Sequence, residues 1–229
     1  MRKKTKNKNR EYPFINKEIS WLSFNDRVLQ EAHDLRNPIG ERIKFLGIYS
    51  SNLDEIFRVR VAMLRRFCHM GKMGEELLKE SPQEAMKKIQ TLVNIQREKF
   101  NGIFLEIMKE LEEQNISLIN ETSLTDEERI YVRNYFNREV RNKIFPIMVN
   151  ARYRLPDLKD KSLYLTVELT QVGKSKRKPK YSIIEIPTKT LPRFILLPNP
   201  NCKRVIMIDD VVREGMEFIF SDLYKKFNS

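Results

Sequence analysis

The fold of this chain is decided by the stretch from Glu18 to Arg66, which reads EISWLSFNDRVLQEAHDLRNPIGERIKFLGIYSSNLDEIFRVRVAMLRR. Apolar residues recur at helical spacing on both sides of a Ser-Ser-Asn-Leu-Asp-Glu sequence at 50–55. In the first segment they are Trp21, Phe24, Val28 and Ala32, with Leu22 and Leu29 beside them. This spacing predicts a helix over residues 18–34, with Trp21 in the core and a stop at Asn37-Pro38.

Two further helices are predicted in the remainder of the stretch. Residues 39–49 place Ile43, Leu46 and Ile48 inward and leave Glu41, Arg42 and Lys44 in water. Ser and Asn favour helix caps, and Asn52 with Glu55 three residues later resembles a capping box. We therefore expect a third helix that starts at Asn52 and runs past Arg66, with Asp54 and Glu55 as acids of its first turn. Its inward residues would be Ile56, Val59, Met63 and Phe67.

The rest of the chain changes from helical to mixed periodicity. Ser81-Pro82 begins a long predicted helix over 82–112, and we place a domain boundary at Gln114-Asn115. Beyond it we expect a helix capped at Thr125, strands at 162–171, 181–186, 194–197 and 205–208, and a last helix capped by Asp209-Asp210. The predicted fold class is α+β: a basic tail at 1–11, a helical bundle domain at 12–114, and an α+β domain with a small antiparallel sheet at 115–229.

Composition restricts the classes of protein to which the chain can belong. Its 229 residues are 41% hydrophobic and 32% charged, as in ordinary soluble domains, and no run reaches the length of a membrane span. No secretory signal is visible, so we expect the cytoplasm, or the periphery of the inner membrane, as its location. Two widely spaced cysteines, Cys68 and Cys202, argue against a disulfide framework or a zinc site.

The net charge of +12 is concentrated in two short segments. Residues 1–10 carry six Lys or Arg and residues 173–180 carry five, with no acid in either, so the remaining chain is close to neutral. The simpler interpretation is a pair of solvated basic segments, and the alternative is an anion site.

No catalytic motif is recognisable from the residues themselves. Gly173-Lys174-Ser175 is not a phosphate-binding loop, because Glu168 occupies the place of the required upstream glycine. His33 and His69 are interpreted as ordinary residues near helix ends. We therefore predict no catalytic residue and no metal ligand in this chain.

Two blocks of the sequence resemble the amino-terminal part of bacterial polyphosphate kinases. The first comprises Glu18, Ser20–Arg27, Val28–Ala32, Glu41–Tyr49 and above all Ser51–Glu55, and the second comprises Leu191–Phe220. The resemblance implies an enzyme that reversibly transfers the terminal phosphate of ATP, with Mg²⁺, to inorganic polyphosphate through a phosphohistidine. It also implies a homo-oligomer, with dimer contacts in the α+β domain, and an ATP contact at Asn52. Physics alone favours a plain helix cap at Asn52; the resemblance favours the ATP contact.

The resemblance further implies that the catalytic carboxyl-terminal domains lie outside these 229 residues, so we expect the chain alone to be inactive. Candidate anion contacts are Arg58, Arg60, Lys174, Lys176, Arg177 and Lys178. The alternative hypothesis is a free-standing module that binds polyphosphate or nucleic acid through the basic tail and the 173–180 hairpin. A third hypothesis is a fragment that serves only for dimerisation.

Overall fold

The computed structural model describes residues 16–78, 80–149, 157–170 and 179–225, with only the backbone for 222–225. The chain divides into two compact units, Met1–Glu110 and Leu111–Ser229. The basic tail at 1–11 and the basic segment at 173–178 lie outside the described residues.

Unit 1 is helical. Its elements are α1 Lys17–His33, α2 Ile39–Glu55, a π-helical segment Ile56–Val61, α3 Ala62–Met70, α4 Lys72–Leu78 and α5 Pro82–Glu113, which runs on past the unit boundary. Asn16 begins α1 by accepting hydrogen bonds from the backbone N–H groups of Glu18 and Ile19. Ser81 does the same at the start of α5 by accepting from Glu84. The first and the long helix therefore confirm the prediction closely.

The buried side of α1 differs from the predicted one by part of a turn. Leu22 and Leu29 are fully buried with Asn25 between them, whereas Phe24 is 57% exposed. Trp21 packs at the edge of a core cluster that includes Leu22, Ile56 and Leu64. Apolar residues surround much of this helix, so the choice of face depends on packing against α2, which the periodicity of α1 alone does not contain.

The predicted break before a third helix at Asn52 is wrong. Residues 50–52 lie inside α2, and the chain continues without interruption through the π-helical segment into α3. Asp54 and Glu55 consequently lie in the last turn of α2, not in a first turn. The preference of Ser and Asn for caps is worth about 1 kcal/mol, which tertiary packing readily outweighs.

Several residues after position 39 that were predicted to face inward are exposed, and one that was predicted in water is buried. Arg42, predicted in water, is 1% exposed, while Ile43 and Ile48, predicted inward, are 40% and 47% exposed. In the π-helical segment Ile56 and Val61 are both buried, and Val59 is 47% exposed. The wider π turn shifts the buried side by one residue, so that spacing derived for an α-helix selects the wrong positions.

α4 lies in the connection around Gly71 and Gly74, for which no helix was predicted. Gly71 ends α3 with φ of +58°, a conformation that favours glycine. Gly74, in the first turn of α4, lies so close to Phe67 that an added Cβ would be 2.2 Å from the Phe67 carbonyl oxygen. Two glycines thus allow α4 to fold back against α3.

Unit 2 combines two small sheets with helices. Its elements are β1 Ile116–Ile119, a 3₁₀ turn Glu121–Ser123, α6 Asp126–Tyr135, a π-helical segment Phe136–Val140, a 3₁₀ turn Arg141–Lys143, β2 Ile147–Val149, β3 Tyr164–Leu169, β4 Lys180–Glu185, β5 Phe194–Leu196, β6 Lys203–Met207, α7 Ile208–Glu214 and α8 Met216–Lys225. The cap predicted at Thr125 is present, and Thr125 forms a capping box with Glu128.

Each of the two sheets has three strands, but the relative directions of the strands differ between them. One has the order β2-β4-β3 and is antiparallel, with Tyr164 opposite Glu185. The other has the order β1-β6-β5 and is mixed, because β1 runs parallel to β6. β1 and β2 were not predicted.

The core of unit 2 lies between these sheets and the helices. Phe136, Ile184, Ile206 and Val211 are fully buried in it. The predicted last helix begins at Ile208 instead of after Asp209-Asp210, and Gly215 separates α7 from α8. A mixed α+β fold with a helical first part therefore confirms the predicted fold class.

Candidate functional site

The candidate site is built around Asn52, on the last turns of α2. Its side chain is partly exposed, and its amide nitrogen Nδ2 donates to Oδ1 of Asn25 over 3.1 Å. Asn25 is fully buried on α1, and its own Nδ2 donates to the main-chain carbonyl of Tyr49 over 3.2 Å. Asn52 and Asn25, from neighbouring helices, therefore form a chain of hydrogen bonds that runs from the surface to the buried Tyr49 carbonyl.

A second pair of polar groups extends this network across unit 1. The Tyr49 hydroxyl donates to Oε1 of Gln96, 3.4 Å away, and Nε2 of Gln96 donates to the main-chain carbonyl of Leu22 over 2.9 Å. Burial raises the pKa of Tyr49, and the negative charge of Asp26 raises it further. The phenol therefore stays protonated as a donor at neutral pH.

Sequence reasoning proposed Asn52 as a ligand contact but did not identify Asn25 or Gln96. Both are polar residues at inward positions of amphipathic helices, and both are almost completely buried. A buried amide needs partners, because an unsatisfied polar group costs about 1–3 kcal/mol. The position of Asn25 between Leu22 and Leu29, on the same side of α1, is the sequence feature that could have identified it.

The structure removes one argument for a ligand at Asn52. A helix N-terminus offers free N–H groups and a positive dipole end to phosphate, but Asn52 lies within a continuous helix. What remains is the side-chain amide itself. An asparagine amide has two donor hydrogens and an acceptor oxygen, and only one of the donors serves Asn25.

The two candidate anion contacts that the structure describes lie in the π-helical segment after α2. Arg58 is exposed, and Arg60 is half-buried at a cavity of about 140 Å³ lined also by Lys17, Trp21 and Glu55. Residues two apart on a helix do not face each other, so Arg58 and Arg60 do not form one joint anion site. Lys174, Lys176, Arg177 and Lys178 lie outside the described residues.

Neither histidine has the surroundings of a catalytic residue. Nε2 of His33 lies 3.5 Å from a carboxylate oxygen of Glu106 at an open surface, where the imidazole is 64% exposed. His69 is exposed near the end of α3.

Metal and membrane sites can be judged for the described part of the chain. Within residues 16–78, 80–149, 157–170 and 179–225 no three His, Cys, Asp or Glu side chains are grouped so that they could hold a metal ion. In the same ranges no helix has both the length and the apolar character needed to cross a bilayer.

Comparison with known proteins identifies the family. Residues 14–119 match the family model of the polyphosphate kinase N-terminal domain, and residues 127–227 match that of the polyphosphate kinase middle domain. The chain is 39% identical over 215 residues to a polyphosphate kinase of Klebsiella pneumoniae, and 39% identical to one of Escherichia coli strain K12. Each alignment covers 92% of this chain and 30% of the relative.

A solved structure agrees with these matches. The crystal structure of polyphosphate kinase from Porphyromonas gingivalis superposes with a TM-score of 0.78 at 30% identity, over 92% of this chain and 31% of the other. The chain spans about a third of the length of the relatives it matches. It belongs to the polyphosphate kinase family and corresponds to the amino-terminal and middle domains of that family.

Proposed function

We propose that this chain supplies the amino-terminal part of a phosphotransferase that moves the terminal phosphate of ATP to inorganic polyphosphate, and that Asn52 contacts the ATP. The observation that carries the proposal is the partly exposed Asn52 amide, which Asn25 holds in place within the stretch that gives the family likeness. The phosphohistidine step would belong to other domains of the enzyme, because His33 and His69 both lie at open surfaces.

The chemistry at Asn52 is binding and orientation. An amide is uncharged, so it cannot neutralise phosphate, but it can donate to and accept from a nucleotide at the same time. Mg²⁺ would enter with ATP, held by phosphate oxygens and water, and would neutralise charge during the transfer. The described residues provide no metal cage of their own. Arg58 and Arg60 remain candidates for separate phosphate contacts.

The test is an ATP titration of the 229-residue chain followed by NMR, which measures weak affinities. We expect Asn52→Ala to weaken ATP binding about tenfold, the effect of losing one to two hydrogen bonds. Asn94→Ala is the matched control, since Asn94 is an exposed helical asparagine in the same unit. Equal ATP affinity in the wild type and in Asn52→Ala would refute the proposed contact.

We also propose that the segment 115–229 contributes dimer contacts and that the chain alone does not transfer phosphate. Sedimentation velocity should then give a species of twice 27.4 kDa, and incubation with ATP, Mg²⁺ and polyphosphate should leave the polyphosphate chain length unchanged. A monomer at all concentrations would exclude the first statement, and lengthening of polyphosphate would exclude the second.

The second candidate function is polyanion binding by the basic segments, favoured by the eleven Lys and Arg within residues 1–10 and 173–180. It predicts an affinity for polyphosphate that falls steeply with salt, because each contact releases counterions. Deleting residues 1–10 and replacing the five cations of 173–180 by Gln should abolish both the affinity and its salt dependence. If the affinity for polyphosphate is unchanged, polyphosphate does not bind to these segments.

A further inference from the structure

We infer that Asn25 is a positioning residue that fixes the orientation of the Asn52 amide toward its ligand. The inference rests on the proposed ATP contact of Asn52 and extends it to a residue that cannot itself reach ATP. Asn25 is 0% exposed, so any effect that it has on ATP binding must act through another side chain.

The orientation follows from the hydrogen-bonding capacity of each group in the chain of contacts. The Tyr49 carbonyl can only accept, so Asn25 must turn its Nδ2 toward it. This leaves Oδ1 of Asn25 on the other side, where it also can only accept. Asn52 must therefore direct an N–H of its own amide at Asn25.

The consequence lies at the partly exposed end of the network. With one N–H held by Asn25, Asn52 keeps its oxygen and its second N–H in fixed places for a ligand. A free asparagine amide would present either order of donor and acceptor by rotating, and ordering it on binding would cost affinity. Asn25 removes that cost in advance.

Gln96 shows why the contact is specific to Asn25. Gln96 is a buried amide of the same network, 4% exposed, and it hydrogen bonds to Tyr49 and to the Leu22 carbonyl. No hydrogen bond joins its side chain to Asn52. Replacing Gln96 therefore removes buried hydrogen bonds from unit 1 without releasing the Asn52 amide.

The experiment combines ATP titrations with NMR of the Asn52 side-chain amide in the 229-residue chain. We expect Asn25→Ala to weaken ATP binding roughly 3- to 10-fold, and to have less than about a 2-fold effect when Asn52 is already Ala. Asn25→Asp, titrated at a pH low enough to protonate the new carboxyl group, should retain most of the affinity, because one carboxyl oxygen accepts from Asn52 and the hydroxyl donates to the Tyr49 carbonyl. Gln96→Leu, the matched control, should leave ATP affinity unchanged.

The side-chain amide gives a readout that needs no ATP. In the wild type we expect the Asn52 Nδ2 hydrogens to exchange slowly and to resonate apart from those of exposed asparagines. Asn25→Ala should shift them to solvent-like values, whereas Gln96→Leu should not. If Asn25→Ala leaves these signals unchanged, or weakens ATP binding equally with and without Asn52, the positioning role is wrong.

The outcomes also separate the two proposals. If Asn52→Ala binds ATP as tightly as the wild type, the proposed function fails at this residue, and the amide signals alone then decide whether Asn25 orients Asn52. If Asn52→Ala weakens ATP binding and Asn25→Ala does not, only the positioning role is overturned. Should Asn25→Ala fail to fold, Asn25→Asp and Asn25→Ser are compared by the same two measurements.

Discussion

Arg42 is the largest fully buried side chain in the described part of the chain. Its Nε donates to the Ala32 carbonyl over 2.8 Å, and Nη1 pairs with the carboxylate of Glu110. The Arg42 guanidinium thus links the end of α1 to α5. A buried ion pair adds little net stability. Removing Arg42 is nevertheless costly, because the Ala32 carbonyl and the Glu110 carboxylate are then left without it.

We expect Arg42→Ala to lower the free energy of unfolding by about 3–5 kcal/mol, measured by urea denaturation. Lys44→Ala is the control, because Lys44 pairs with Glu41 at the surface and should change the stability by less than about 0.5 kcal/mol. Equal losses in the two variants would show that the burial of Arg42 contributes nothing.

Asp210 makes the stability of unit 2 depend on pH. Burial raises its pKa to about 6, helped by the charge of Asp209, against an opposing contribution from Arg213. Glu121, from the 3₁₀ turn before α6, raises it further. Because the folded state binds this proton more tightly than the unfolded state, the stabilisation is complete below a pH of about 4 and is lost as the pH rises through about 6.

We therefore expect the contribution of Asp210 to the unfolding free energy to fall between pH 4 and pH 6, the interval between its ordinary and its raised pKa. Asp210→Asn should flatten the pH profile in that interval, and the exposed Asp126→Asn should not. Urea denaturation at a series of pH values measures both. Parallel profiles for wild type and Asp210→Asn would contradict the assignment.

At the scale of single elements, the π-helical segment Ile56–Val61 behaves as one residue inserted into an α-helix. Ile56 and Val61 are five positions apart and both buried, and Leu64 follows three positions later. Deleting the exposed Val59 would bring the first pair to four positions apart, which is regular α-helical spacing.

We expect the Val59 deletion to fold with a stability within about 1 kcal/mol of the wild type, since the buried residues stay on one side. Deleting the exposed Ile95 from the regular helix α5 is the control. That deletion should cost about 3 kcal/mol or more, because it rotates Ile89 and Val93 away from the residues that follow. A Val59 deletion as damaging as the Ile95 deletion would refute the insertion view.

The junction of α7 and α8 requires a glycine at position 215, because there is no room for a side chain there. A Cβ at Gly215 would lie 2.4 Å from a ring carbon of Phe136, which is fully buried. At Gly102, within α5, an added Cβ has no neighbour within 4 Å. The same substitution should therefore have opposite effects at the two positions.

We expect Gly215→Ala to destabilise the protein by about 1–3 kcal/mol through overpacking, and Gly102→Ala to stabilise it by about 0.5–1 kcal/mol through helix propensity. Thermal denaturation of the two variants measures the difference. Destabilisation by both, to the same degree, would mean that contact with Phe136 is not the cause.

At the scale of the whole molecule, the residues that the structure describes form two hydrophobic core clusters, one in each unit. The core cluster of unit 1 includes Leu22 and Leu64, and that of unit 2 includes Phe136 and Ile206. A substitution that disrupts one core should therefore lower the stability mainly of the unit that contains it. Each of the two destabilising substitutions above supplies a probe for one unit.

We expect Arg42→Ala to lower amide hydrogen-exchange protection in α1, α2 and α5, and Gly215→Ala to lower it in α6, α7 and β6. The wild type, measured in parallel, supplies the reference protection for each amide. Uniform loss of protection across both units in either variant would instead indicate a single cooperative unfolding unit.

Long or strictly patterned elements were predictable from the sequence. α5 has a Ser-Pro start and apolar residues that recur at helical spacing over 32 residues, and β3 alternates over six residues. β1 is too short to show a period, and its partner β6 lies 84 residues further on. The family could be recognised from the Glu18–Arg66 stretch because that likeness depends on residue order, which the sequence contains in full.

The sequence by itself determined the family, the α+β class, the helical nature of the first unit and the identity of Asn52 as a candidate ligand contact. Only the tertiary structure decided that Asn52 lies inside a continuous helix, and that Asn25, from another helix, holds its amide. The physical reason is that local preferences for caps are worth about 1 kcal/mol, whereas packing between helices is worth several times more and depends on contacts distant in sequence.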